Sequence, residues 1–334
     1  MKAVNVFVTV LFIGLLLTIF FRHTLLQGDY KAVLVVKQEL CDCATGSTIE
    51  SPSSLPTKTV RREPDKPVTF LLIMVPMRPD SFTVRKLIRN TWYSGYKDHP
   101  DVMLRFLVGT KNLSTVNMEL LNEEQSQYGD VVYSDLQESY KALTNKTIEM
   151  LKWSHEHVNF SYLMKCDDDT FVYIDLLVSE LRKRPRTTGL YYGRIEYYSP
   201  VLRDPKYQWV DKDWDLAATY LPYAIGGGYI LSWDLVGMLA RQSSYLKWHP
   251  NEDTAVGSWL APYKYERRSD HLFCVTSVFG TLKHKCAHFP LFHIFYTYPS
   301  HHNQSTYFHH LYNEYMTSKK MTAPKVTQPT GGSH

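Results

Sequence analysis

The segment Val68-Thr-Phe-Leu-Leu-Ile-Met-Val75 is apolar at every position but Thr69. A strand that reads as one unbroken apolar run must be covered on both faces, as in a largely parallel sheet flanked by helices. Helix and strand patterns alternate after Val75. Ser81 to Trp92 is patterned as a short helix, Met103 to Gly109 as a strand, Val116 to Tyr128 as a helix and Asp130 to Tyr133 as a strand. Ser139 to His157 has Tyr140, Leu143, Thr147, Leu151 and Ser154 at three- and four-residue steps, the spacing of one helix face. The run Phe160-Ser-Tyr-Leu-Met164 is a further strand, Leu176 to Arg184 a helix and Leu190-Tyr-Tyr192 a strand. Strand and helix in strict alternation predict an α/β fold with a mostly parallel central sheet. No G-x-G-x-x-G follows the first strand, which argues against a dinucleotide fold of the dehydrogenase type.

The N-terminus is built for a different medium. Val6 to Phe21 is almost wholly apolar, and a membrane span needs about 20 such residues. No small-x-small cleavage site follows, so residues 6–21 are expected to be an uncleaved transmembrane signal anchor, with 1–5 as a short cytoplasmic tail. Lys2 and Arg22 do not fix its orientation. The sequons at Asn112, Asn145, Asn159 and Asn303 favour a lumenal body carrying N-linked glycans. Residues 22–66 are rich in Ser, Pro and charge without periodicity and are expected to be a stem. The globular domain is expected over 67–318, with 319–334 as a disordered tail. A net charge of +4, without a basic stripe interleaved with aromatics, argues against nucleic acid as partner. In an oxidising lumen Cys274 and Cys286 are a candidate disulfide pair; Cys41 and Cys43 stand too close together to bridge each other.

Three places carry candidate chemistry. Lys165-Cys-Asp167-Asp168-Asp169 sits where the strand ending at Met164 leaves the sheet, and open α/β sheets bind ligands at such strand ends. Three adjacent carboxylates suit a hard cation such as Mg²⁺ or Mn²⁺, completed by the oxygens of a diphosphate. A solvated loop and an aspartyl-phosphate nucleophile are the alternatives; the calcium-loop spacing is missing. Gly226-Gly227-Gly228, flanked by Tyr223 and Tyr229, reads as a close-approach site for a sugar or as a tight turn or bulge. Glu252-Asp253 opens a helix and reads as a cap or as a general base. Arg85, Arg89, Lys146 and Lys165 lie near strand ends or helix starts, where cations hold phosphates. Of the many C-terminal histidines, one is a candidate metal ligand.

These segments resemble, in order, the motifs of the β-1,3-glycosyltransferase family. Arg85-Lys-Leu-Ile-Arg-Asn-Thr-Trp92 is similar to R-x-x-I-R-x-T-W, and Phe106-Leu-Val-Gly109 to the F-x-x-G strand. Tyr128-Gly-Asp130 and Glu138-Ser-Tyr-Lys-Ala-Leu-Thr-Asn-Lys146 are similar to Y-G-D and D-x-Y-x-N-L-T-x-K. Lys165 to Asp169 resembles K-x-D-D-D, and Glu252-Asp-Thr-Ala-Val-Gly257 resembles E-D-V-x-x-G. Trp214 and Tyr220 to Ser232 resemble the members that build the glycosaminoglycan–protein linkage region. The resemblance covers Val68 to Pro262.

The resemblance implies a GT-A type fold on a type II Golgi membrane protein. It implies an inverting galactosyltransferase that uses UDP-galactose and Mn²⁺. The acceptor would be the galactose of Gal-β1,4-Xyl on a proteoglycan core protein. The alternatives are another donor, such as an N-acetylglucosamine nucleotide, and a non-catalytic lumenal sugar-binding protein. Carried over, Asp253 is the general base; Asp169 and Asp167 are metal ligands, with His293 the best placement of a C-terminal one and His288 the alternative. Arg85, Arg89, Lys146, Lys165 and Asp168 serve the nucleotide sugar. Tyr223, Gly226, Gly227, Gly228 and Glu252 line the acceptor pocket. The chain departs from the family at Cys166, in the placing of Asn145, and after Arg267.

Overall fold

A computed structural model describes residues 65–276 except Gln208, together with 292–295 and 302–322; the side chains of 274–276, 292–295, 302–303 and 320–322 are not described. All of these residues fall within the unit Lys58–His334. The expected cytoplasmic tail and anchor, the expected stem as far as residue 64, Cys286, His288 and the side chains of Cys274, His293 and Asn303 lie outside the described residues. No described helix is long and apolar enough to cross a membrane.

The elements run β1 (Val68–Met77), α1 (Phe82–Asn90), β2 (Val102–Gly109), α2 (Thr115–Tyr128), β3 (Val131–Ser134), α3 (Leu143–His157), β4 (Asn159–Cys166), β5 (Thr170–Val172) and α4 (Ile174–Arg182). Then come β6 (Leu190–Glu196), β7 (Tyr223–Ser232), α5 (Trp233–Arg241), α6 (Glu252–Leu260), β8 (Glu266–Ser269), β9 (Phe273–Thr276), β10 (Phe292–Phe295) and α7 (His302–Thr322). The main sheet has the order β3-β2-β1-β4-β7-β6-β8, and β5-β10-β9 form a second sheet. β1 pairs parallel with both β2 and β4, and β6 pairs parallel with β8. β7 alone runs against its neighbours β4 and β6, so the sheet is mixed and mostly parallel.

The apolar run of β1 has the cause inferred from it. Leu71, Ile73 and Val75 face one core, shared with α1, α4 and α7. Leu72 and Met74 face the other, shared with α3, α5 and α6. Alternate side chains of a strand point to opposite faces, so two covered faces call for apolar residues at successive positions. The chain runs from β1 through β2 to β3, then returns to set β4 on the other side of β1. Such a reversal opens a crevice at the carboxyl ends of the two strands. Met77 ends β1, Cys166 ends β4, and the acid triplet follows at once.

Gly226–Gly228 lies inside β7, with Gly228 opposite Cys166, and is not a turn; the register against β6 shifts there, from Gly193 opposite Tyr229 to Ile195 opposite Ala224, as a bulge requires. Three other expectations give way to the fold. Asn159 is buried at the start of β4 beside Val68, and its amide donates to the Lys66 carbonyl, so the folded chain has no room there for a glycan. Asn112 and Asn145 are exposed. The helix expected from Ser139 begins as a 3-10 turn, Tyr140–Ala142, whose start is capped by the Ser139 hydroxyl accepting from Ala142 N. The last helix also runs to Thr322, past residue 318.

Arg85 and Arg89 hold the rim of the crevice from inside. Arg85 is fully buried; it donates to both carboxylate oxygens of Glu124 and to the carbonyls of Arg78 and Pro79. Arg89 makes a two-pronged pair with Asp130 and a further bond to Glu124. Removing one partner of a buried ion pair leaves an uncompensated charge, which costs about 3–5 kcal/mol. Arg85→Met should therefore lower the urea midpoint by a stability loss of that order, whereas an unchanged midpoint would show that the Arg85 network is not structural.

Candidate active site

The acid triplet is held in a narrow turn against β7. Asp167 N donates to the Gly227 carbonyl at 3.1 Å, Thr170 Oγ1 donates to the same carbonyl at 2.6 Å, and Thr170 N closes on the Asp167 carbonyl. Asp169 is the strained member: its Oδ1 is buried with no hydrogen-bond partner. Burial, then the neighbouring charges of Asp167 and Asp168, push its carboxyl well above the usual range. A buried oxygen without a donor is a liability unless a cation or proton meets it. Among the described residues no three His, Cys, Asp or Glu side chains converge to hold a metal by themselves. That donor set fits Mg²⁺ or Mn²⁺, which are commonly held by one or two carboxylates with the rest of the shell from water and substrate phosphate. The register of β10 sets His293 opposite Phe171, two residues beyond Asp169.

Lys165 joins this turn to the second acidic motif. Its side chain is fully buried, and its ammonium donates to Asp167 Oδ1 at 2.7 Å, to the Gly226 carbonyl at 2.6 Å and to Glu252 Oε2 at 3.2 Å. Burial alone would lower its pKa, but the carboxylates of Asp167 and Glu252 outweigh that and raise it. Lys165 is thus an internal cation with its donors committed to the protein.

Glu252 and Asp253 open α6, where the positive end of the helix dipole favours acids. They do different things. Glu252 is buried; it accepts from Lys165 and, at 2.6 Å, from the Tyr229 hydroxyl. Burial lifts its carboxyl to about 7, with Asp253 and Asp167 adding to the rise and Lys165 and Tyr229 opposing it. Asp253 remains partly accessible and accepts from Thr254 N at 2.8 Å and Gly226 N at 3.2 Å. Burial raises its pKa against those two backbone donors.

Two glycines permit this approach. A Cβ on Gly226 would lie 3.2 Å from Glu252 Oε2 and 3.4 Å from Asp253. A Cβ on Gly257 would lie 2.7 Å from the Pro222 carbonyl, so α6 rests directly on the start of β7. Tyr223 leads into that strand; its hydroxyl donates to Ser199, and burial followed by the Asp253 charge raises its pKa.

The structure therefore gathers Asp167, Asp169, Lys165, Gly226, Tyr223, Glu252 and Asp253 around one end of β4 and β7. Arg85 and Arg89 stand apart, their donors spent on Glu124, Asp130 and backbone. Lys146 is also buried, donating to the Met77 carbonyl and pairing with Glu138, which in turn accepts from Gly109 N. It ties the ends of β1 and β2 rather than presenting a free ammonium. Sequence reasoning assigns Tyr140 no part in the site, yet the fold brings it there. The residue is 51% exposed, while burial of its hydroxyl and the charges of Asp253, Asp167 and Glu252 push that hydroxyl to about 12. Its position two residues after Glu138, inside the Glu138–Lys146 motif, was the signal for it.

The Galactosyltransferase family model matches residues 83–271. Over 210 residues the chain is 38% identical to beta-1,3-galactosyltransferase 6 of Mus musculus, covering 61% of this chain and 64% of that protein. Over 152 residues it is 35% identical to UDP-GalNAc:beta-1,3-N-acetylgalactosaminyltransferase 2 of Danio rerio, covering 44% of this chain and 30% of that one. The match thus spans less than two thirds of either relative. The crystal structure of the galactosyltransferase LgtC with donor and acceptor sugar analogs aligns with a TM-score of 0.42 at 12% identity, over 73% of this chain and 95% of that one.

The raised Glu252 carboxyl gives stability a pH dependence. A carboxyl whose folded pKa of about 7 exceeds its unfolded value near 4.5 stabilises the fold fully below the unfolded value. That contribution is lost as pH rises through about 7. Urea denaturation of the metal-free chain should show stability falling over that window, and Glu252→Gln should flatten the fall. An identical profile in the variant would remove Glu252 as its source.

Proposed function

This chain belongs to the galactosyltransferase family, and on that premise we propose that it is an inverting β-1,3-galactosyltransferase of GT-A type. Its donor is UDP-galactose, and its acceptor is the galactose of Gal-β1,4-Xyl on a proteoglycan core protein. It works in the Golgi lumen, held by the apolar segment 6–21. The observation that carries the reading is the joining of the acid triplet to Asp253 through Lys165 and Gly226.

Inverting transfer is a single displacement that needs a base on the acceptor and charge stabilisation on the leaving group. A divalent cation such as Mn²⁺, held by Asp169 and Asp167, would neutralise charge on the departing diphosphate. Asp253 takes the proton of the acceptor 3-hydroxyl as that oxygen bonds to the anomeric carbon. The bond from that carbon to the diphosphate breaks, and its electron pair leaves with UDP. The raised pKa of Asp253 suits a base, and its partial exposure lets a hydroxyl reach it. Glu252 fixes the helix start through Lys165 and Tyr229.

The zebrafish relative's name specifies UDP-GalNAc, so donor choice is the point to test. The full chain, with Mn²⁺ and a Gal-β1,4-Xyl acceptor, should add one hexose from UDP-galactose and none from N-acetylhexosamine nucleotides, read by mass spectrometry. N-acetylhexosamine addition would overturn the donor assignment, and no transfer from any donor would overturn the enzyme reading. Asp253→Asn should lower kcat by about 10²–10⁴-fold while keeping Mn²⁺-dependent UDP binding. Undiminished turnover would remove Asp253 as the base.

A further inference from the structure

The last helix, α7, lies beyond the family match, which ends at residue 271. It nonetheless reaches the acid triplet. Gln304 is 2% exposed, and its Nε2 donates to the backbone carbonyl of Asp168 at 2.7 Å across 136 residues of sequence. Phe308 packs edge-on to Phe171 with ring centroids 5.5 Å apart, and Leu311 is buried in the same core. Tyr315 packs edge-on to Tyr173 and donates to Asp175 Oδ2 at 3.1 Å. Positions 304, 308, 311 and 315 recur at four-, three- and four-residue steps, so one face of the helix makes all these contacts.

We propose that Gln304 is a positioning residue for the donor side of the site, holding the acid triplet through the Asp168 carbonyl; this rests on the nucleotide-sugar reading above. Gly227 grips the turn on one side, at Asp167 N and Thr170 Oγ1. The Asp168 carbonyl, between the two candidate metal ligands, is gripped by Gln304 from the other. Fixing that peptide fixes the direction in which the Asp167 and Asp169 carboxylates leave the backbone. A neutral amide suits the task. A lysine or arginine there would pair with the carboxylates and compete with a cation, whereas an amide donates to the carbonyl and leaves their charge intact.

The test is Mn²⁺-dependent UDP binding by the full chain, measured by calorimetry without turnover. Gln304→Met keeps the length and packing of the side chain and removes the donor. It should raise the Mn²⁺ concentration for half-maximal UDP binding about tenfold, the equivalent of one buried hydrogen bond, and in a separate turnover assay leave the acceptor KM unchanged. A folded Gln304→Met chain with the wild-type Mn²⁺ requirement overturns the proposal and leaves the donor reading standing. A wild-type chain that binds no UDP with Mn²⁺ overturns both. Coupling between sites is reciprocal. In the wild-type chain, Mn²⁺ and UDP should therefore slow hydrogen exchange in residues 304–311. Unchanged exchange there, with UDP bound, overturns the proposal even if the substituted chain does not fold.

Discussion

The ammonium of Lys165 is the one charge on which the site depends. A buried cation is expensive unless its partners are close and its donors are filled. Lys165 has three oxygen partners from three separate stretches: Asp167 in the turn after β4, the Gly226 carbonyl in β7 and Glu252 at the start of α6. The Tyr229 ring lies beside it at 5.7 Å. The same charge makes the two acids tolerable. Asp167 and Glu252 raise the pKa of Lys165, and Lys165 holds that of Glu252 down. The distance between the acid-triplet turn and the start of α6 is thereby set by a pair of ion contacts rather than by loops.

That bridge works only because backbones come close. α6 lies against β7 where Gly257 meets Pro222 and Tyr223, and the carboxylates of Glu252 and Asp253 lie over Gly226. Side chains at either glycine would push the helix outward. The carboxylates would then lose the Gly226 N–H and the Lys165 ammonium together. On the other face of the sheet, Arg85 and Arg89 with Glu124 and Asp130 hold α1, α2 and the loop after β1. Lys146 and Glu138 tie the ends of β1 and β2. The crevice is walled by internal ion pairs.

Much of this is legible in the residues. The unbroken apolar stretch of β1 requires two covered faces, and the cores on either side of Leu71–Val75 supply them. The acid triplet stands at a strand exit and Asp253 at a helix start, and both stand there in the fold. What sequence cannot carry is partnership across distance. Arg85 reads as a cation near a strand end, but Glu124, 39 residues away, consumes it. Asn159 satisfies a three-residue sequon that is blind to burial. Gly226–Gly228 has turn composition, yet it lies inside β7, where the register against β6 shifts. The contacts of α7 are invisible for the same reason, because an amide such as Gln304 has no signature until the carbonyl it meets is known.

Lys165 should couple the two acidic motifs energetically, and a double-mutant cycle of Lys165→Met and Glu252→Gln, read by urea denaturation of the full chain, measures that coupling. Each single change should destabilise, and the pair should cost less than their sum by about 2 kcal/mol or more, since removing both charges leaves neither stranded. Additivity within about 0.5 kcal/mol would show that Lys165 and Glu252 act independently.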